Sequence, residues 1–163
     1  MHLFSKLEQR WATISKPLLV CEEQRIYFDN FKEENNDLLF QVKAGDIVLL
    51  NGNYTKTSIS LLIHLFDMKA IVAPVNVFSR TELETMANII NANVIVDENR
   101  LRKRAQRHRN NHMILDLQKK KRAGIIFFTS GSSGKPKALL HDIENLLRRF
   151  DTPRPALRTL AFL

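Results

Sequence analysis

Residues Phe128–His141, FTSGSSGKPKALLH, decide how this chain reads. They follow the apolar run Gly124–Phe127 and lead into an amphipathic stretch, so the pattern predicts a strand, a glycine-rich turn and the start of a helix. Thr129–Gly134 is an unbroken run of hydroxyl and glycine residues, and Lys135 and Lys137 flank Pro136. Glycines let backbone N–H groups approach an anion, hydroxyls add donors and lysines add charge, so the loop suits phosphate. It is not the GxxxxGK[ST] loop. Gly131 and Gly134 stand too close together, and Pro136 occupies the place of that motif's magnesium-liganding hydroxyl. A Gly/Ser linker shares the composition, but a linker would not sit between IIFF and PKALLH.

The loop resembles the phosphate-binding signature of the adenylate-forming (AMP-binding) enzymes, which include acyl-CoA synthetases, luciferases and peptide-synthetase adenylation domains. Thr129, Ser130, Gly131, Ser132, Ser133, Gly134, Lys135, Pro136 and Lys137 follow the family's order, and Ala138 replaces its final glycine. Upstream, Gly45–Leu50 resembles the strand that opens the nucleotide-binding region, and Thr57–Phe66 its first buried helix. Ile71–Asn76 resembles the apolar strand ending in Pro-x-Asn, Ser79–Asn91 the next helix and Asn93–Asp97 the next strand. The resemblance covers about residues 40–163. It departs at Met68-Lys69, where the family has a glycine, so Lys69 is expected to take the backbone conformation that glycine would adopt.

The resemblance implies an α/β fold, a mostly parallel sheet flanked by helices, truncated from the start of the large N-terminal domain. It implies the N-terminal part of an AMP-forming acid–thiol ligase of the acyl-CoA synthetase kind. There Thr129, Ser130, Gly131, Ser132, Ser133, Gly134 and Lys137 bind the phosphates of ATP, with Mg, while Lys135 is solvated. A carboxylic acid and a thiol, CoA among them, would be substrates of the complete enzyme. The adenine and acyl pockets, the ribose anchor and the catalytic lysine have no counterpart here. No catalytic residue is therefore assigned, and the chain alone is expected to be inactive. Leu157–Leu163 (LRTLAFL) reads as a strand ending in mid-run, which suggests a fragment. Two alternatives stay open: a subunit of a split ligase completed by a separate chain, and a non-catalytic nucleotide- or polyanion-binding module.

Composition narrows these readings. With 44% apolar residues over 163 positions the chain can bury one domain core. The single Cys21 excludes a disulfide framework and reads as a strand residue rather than a nucleophile. No apolar run is long enough to span a membrane and MHLFSKLEQRW is no signal peptide, so cytoplasm is the default. The net charge of +8 is concentrated: residues 100–122 hold ten of the 25 Lys/Arg and one of the 17 Asp/Glu. That block lacks the interleaved aromatics of a base-stacking surface and any zinc-finger or helix-turn-helix spacing, which argues against nucleic acid. It reads as a basic surface excursion, with attraction of anionic substrates as the second reading.

The chain divides into a leading helix, hairpin and helix (1–44), β/α units (45–99), the basic excursion (100–122), and a last part (123–163) of strand, phosphate loop, helix and final strand. A helix is expected at 5–15, with Leu7, Trp11 and Ile14 on one face. A hairpin joins Leu18–Cys21 to Arg25–Phe28, and Asp29 caps a helix over Phe31–Val42. Strands follow at 46–51, 70–75, 94–97 and 124–129, with helices at 55–67 and 81–92. Ser79-x-x-Glu82 and Thr81-x-x-Glu84 both have capping-box spacing. Short apolar strands alternating with helices predict a parallel sheet with Thr129–Lys137 at its carboxyl edge. His141 is placed in the first turn of the next helix and Asp142 as a helix cap. His64 reads as a satisfied core residue, and His108 and His112 lack metal-ligand spacing, so no metal site is expected.

Overall fold

Runs of apolar residues without polar interruption form strands covered on both faces, and four of them build the centre of this molecule. The computed structural model describes residues 3–11, 14–21, 24–32, 37–53, 55–97, 100–106, 111–129 and 136–149. Helix α1 (Leu3–Trp11) is followed by strands β1 (Leu19–Cys21) and β2 (Gln24–Ile26), the one-turn helix α2 (Asp29–Lys32) and a 3-10 helix (Asp37–Gln41). Then come β3 (Ile47–Asn51), α3 (Lys56–Asp67), β4 (Ile71–Val75), α4 (Arg80–Ile89) and β5 (Val94–Asp97). The described part ends with β6 (Arg100–Lys103), α5 (His112–Lys119), β7 (Gly124–Thr129), β8 (Lys137–Asp142) and α6 (Ile143–Arg148).

β1 and β2 pair antiparallel as a separate hairpin, and the main sheet runs β6-β5-β3-β4-β7-β8. Its four inner strands are parallel, while β6 and β8 run antiparallel at the two edges. The strand period of two divides the core cleanly. Val48, Leu50, Val72, Val94, Val96 and Ile125 face α3, with α1, α6 and the 3-10 helix packed on the same side. Ile47, Leu49, Ile71, Ala73, Ile95 and Ile126 face α4 and α5. Ile47, Val48, Leu49, Ile71 and Val72 have no exposed surface, and each such side chain contributes about 1.5–3 kcal/mol of burial free energy.

Three helices return the chain to the sheet by the same device. Met68, Ile90 and Lys120 end α3, α4 and α5, and the next residues, Lys69, Asn91 and Lys121, adopt left-handed φ of 65°, 55° and 51°. In each case the left-handed residue's N–H and that of its successor bond back into the last turn. Lys69 donates to Phe66 and Ala70 to Leu65, Asn91 to Asn88 and Ala92 to Ala87, Lys121 to Gln118 and Arg122 to Leu117. These are Schellman caps, built without the usual glycine. Lys69 thus takes the conformation the missing glycine would have taken.

Two asparagines tie the strand ends. At the amino edge, Asn93 Oδ1 accepts from Ile47 N at 2.7 Å and Asn93 Nδ2 donates to Asp46 Oδ1 at 2.7 Å. At the carboxyl edge, Asn51 Nδ2 donates to Val77 O and to Asp97 Oδ1, and Asn51 Oδ1 accepts from Val77 N.

The structure corrects several local expectations. The leading helix spans Leu3–Trp11 rather than 5–15, and α4 spans Arg80–Ile89 rather than 81–92. The single helix expected at 31–42 is instead α2 and the 3-10 helix, with 33–36 between them outside the described residues. Ser79 precedes α4 without a side-chain cap bond, and Glu84 turns to Arg102 and Arg104 rather than back to its own helix start. The basic stretch 100–122 contains an edge strand and a helix, α5, whose Ile114 and Leu117 belong to the core. The strand-like run 157–163 lies outside the described residues.

Candidate phosphate-binding hairpin

The main departure from the sequence reading lies at the loop itself. Lys137–Asp142 forms strand β8, antiparallel to β7, and the helix begins only at Ile143. The two segments that flank the glycine-rich run are therefore antiparallel strand partners, rather than a strand followed by a helix. His141 sits in β8, paired with Ile125, rather than in the first helical turn. KALLHD fits either period, and only the pairing with GIIFFT decides between them.

β7 brings Thr129 to the carboxyl edge, and β8 returns with Lys137 directly opposite. Thr129 Oγ1 lies 3.5 Å from Lys137 O across this last rung. Both residues are exposed at the mouth of the loop. Ser130, Gly131, Ser132, Ser133 and Gly134, with Lys135, lie outside the described residues. Ala138, in place of the family's glycine, opposes Phe128.

The stem has two unlike faces. Ile126, Phe128 and Leu140 pack toward α4 and α5, whereas Phe127 and Leu139, opposite each other, are about half exposed. His141 lies against Phe127 with ring centroids 5.9 Å apart. β7 bonds to β4 only through Ile71↔Gly124 and Val72↔Ile125. The pairing stops before Pro74, a residue with no N–H to give a neighbouring strand. Beyond that point the hairpin leaves the parallel sheet as a two-stranded ribbon.

The base of the stem is held by charge. Arg122 Nη1 donates to Asp142 Oδ2 at 2.9 Å, and Arg122 Nε stands 3.3 Å from Glu144 Oε2. The hydrogen bond that Arg122 gives to Asp142, then the charges of Asp142 and Glu144, raise the Arg122 pKa above its ordinary value. Asp142 also caps α6, its Oδ1 accepting from Glu144 N at 2.8 Å and Asn145 N at 3.3 Å. Its expected role as a helix cap is what the structure shows. The link to Arg122 was not read from the sequence, because the two residues are neighbours only once β7 and β8 pair.

The remaining titratable residues divide plainly. His64 Nδ1 lies 2.8 Å from Ser60 O and its ring 4.9 Å from that of Phe4, so it is satisfied as expected, but half-buried rather than in the core. Among the basic residues of 100–122, Arg102 and Arg104 pair with Glu84, and Lys120 with Asp116 at 2.7 Å. His108 lies outside the described residues. Among the described residues no group of His, Cys, Asp and Glu is placed to hold a metal ion, and no helix is long and apolar enough to cross a membrane.

No family model and no curated protein matches this sequence. Solved structures do. The N-terminal subdomain of NpsA from Klebsiella oxytoca, in complex with anthranilyl-AMSN, superposes with a TM-score of 0.64 at 21% identity, covering 93% of this chain and 43% of that one. FACL13 from Mycobacterium tuberculosis, an inhibitor-bound N-terminal domain, gives 0.59 at 15% identity over 90% of this chain and 46% of that one. The o-succinylbenzoate CoA synthetase MenE of Bacillus subtilis, with its acyl-adenylate intermediate OSB-AMP, gives 0.59 at 14% over 92% and 46%. The chain thus spans less than half the length of these structures. With a mostly parallel sheet, helices on both faces and a hairpin at its carboxyl edge, the chain has the fold of the N-terminal subdomain of the adenylate-forming enzymes.

Proposed function

We propose that this chain supplies the ATP phosphate-binding hairpin of an AMP-forming acid–thiol ligase. The observation that carries the reading is the run Thr129–Lys137, set on a hairpin at the carboxyl edge of a sheet with this fold. In that reaction a carboxylate oxygen attacks the α-phosphorus of ATP. The bond to pyrophosphate breaks, and an acyl-adenylate forms for transfer to a thiol such as CoA. Negative charge grows on the departing β- and γ-phosphates, so donors fixed around them lower the barrier. The Thr129, Ser130, Ser132 and Ser133 hydroxyls and the Gly131 and Gly134 backbone supply those donors, and Lys137 supplies charge. The residue types fit a triphosphate. Magnesium would arrive on the nucleotide's own phosphates, since the described residues offer no carboxylate cluster for it.

Calorimetric titration of the chain with Mg-ATP and with AMP tests this. ATP should bind more tightly than AMP, and Lys137→Ala should weaken ATP binding at least about tenfold, as expected for losing one charge-assisted contact. Equal affinities for ATP and AMP, or indifference to Lys137→Ala, would overturn the reading. Pyrophosphate exchange by the chain alone should be absent.

A second reading, completion by a separate chain, rests on the span of less than half of each similar structure. A stoichiometric partner in pull-downs from the native source would support it. The polyanion-binding alternative is weakened by the carboxylate partners of Arg102, Arg104, Lys120 and Arg122.

A further inference from the structure

Arg122 is fixed from behind and reaches forward. It follows the left-handed Lys121 in the cap that closes α5, and its N–H donates to Leu117 O at 3.0 Å. Its guanidinium bridges Asp142, the last residue of β8, and Glu144 in the first turn of α6. Asp142 divides its carboxylate, giving Oδ2 to Arg122 and Oδ1 to the N–H groups of α6. The pair is largely shielded, with side chains 29% and 14% exposed. It therefore joins the residue two before β7 to the end of the strand that returns alongside it.

β8 needs such a tie. Among the described residues it is an edge strand, with Lys137, Ala138, Leu139 and His141 exposed and Leu140 its apolar contact with the core. A strand that buries so little specifies its register weakly. A slip of one residue along β7 would carry Lys137 about 3.3 Å and turn it to the opposite face. Ile143, buried and donating to Ala123 O at 3.1 Å, anchors the helix that follows. Arg122 adds the directional contact, because two fixed oxygens must meet one planar guanidinium.

We propose that Arg122 is a positioning residue: its contact with Asp142 sets the register of β8 on β7 and so holds Lys137 opposite Thr129 at the mouth of the loop. The importance of that placement rests on the phosphate-binding reading given above.

Arg122→Gln and Asp142→Asn in the full 163-residue chain test it, with Arg122→Lys as the conservative variant. Asp142→Asn is the sharper probe, because an amide oxygen still caps α6 while its NH₂ group faces the guanidinium. Amide hydrogen exchange across Ala138–His141 should speed up about tenfold in Arg122→Gln and Asp142→Asn, while α6 keeps its protection in Asp142→Asn. Mg-ATP binding should weaken in the same two variants, and Arg122→Lys should restore part of both signals. Unchanged exchange in both variants overturns the register role. Faster exchange with wild-type ATP affinity overturns its link to Lys137. If the wild-type chain binds no ATP, the phosphate-binding reading and that link fall, while the exchange data still decide whether Arg122 locks the strand.

Discussion

Asn51 and Asp97, at the carboxyl ends of adjacent strands β3 and β5, are joined by a 2.7 Å hydrogen bond from Nδ2 to Oδ1. The same asparagine exchanges two bonds with the backbone of Val77, after β4. One side chain thus fixes the chain as it leaves three neighbouring strands. Asn51→Ala should lower stability by about 1–2 kcal/mol, since it leaves Val77 N–H and C=O without this partner. Asn51→Asp should destabilise more, because it sets a second carboxylate against Asp97. Thermal unfolding of the two variants gives the order.

The left-handed Lys69 and Lys121 predict an opposite outcome. A non-glycine residue in this region carries about 1–2 kcal/mol of strain, part of which glycine returns as greater freedom of the unfolded chain. Lys69→Gly and Lys121→Gly should each stabilise the chain by up to about 1 kcal/mol, and a β-branched residue at either position should destabilise it. Chemical denaturation midpoints check both signs.

Gly124 leaves no room for a side chain where β7 begins. A Cβ there would lie 2.9 Å from Leu117 Cδ1, 3.1 Å from Leu140 Cδ1 and 3.2 Å from Ile71 Cγ2. Gly124→Ala should cost about 1–3 kcal/mol by pushing α5 and β8 outward. Amide exchange should report the loosening at Leu140 and Leu117 before it reaches β3.

The raised pKa of Arg122 fixes the pH behaviour of its pair with Asp142. A cation whose pKa is higher in the folded state gives stability that is complete below the unfolded value and lost only as pH rises through the folded one. Both lie far above neutrality, so protection of β8 in the wild type relative to Arg122→Gln should stay constant from about pH 7 to pH 10. Loss of that difference within this window would mean that another group holds the strand.

What the sequence disclosed, and what it hid, follows from where each signal resides. β3, β4, β5 and the first half of β7 are apolar runs buried on both faces, so burial writes them directly into local composition. β8 hardly touches the core, and KALLHD has no such imprint; pairing with a strand eight or more residues away made it a strand. α5 was hidden by its flanks, for HMILDLQK has an ordinary amphipathic stripe inside a stretch dominated by Lys and Arg. β6 shows the same masking, with Leu101 half-buried between the exposed Arg100 and Arg102. Of the loop, the residue types and their order were legible, whereas the hairpin that presents Thr129 and Lys137 was not.

The short reach of the β4–β7 pairing makes the hairpin a cantilever. It is clamped at Gly124 and Ile125 and packed through Ile126 and Phe128, and among the described residues its last three positions have no parallel strand beside them for about 10 Å. A beam held at one end can be altered at its tip without loading the wall. Substitutions at Thr129 and Lys137, both exposed at the far end of the pair, are therefore separable from the stability of the sheet.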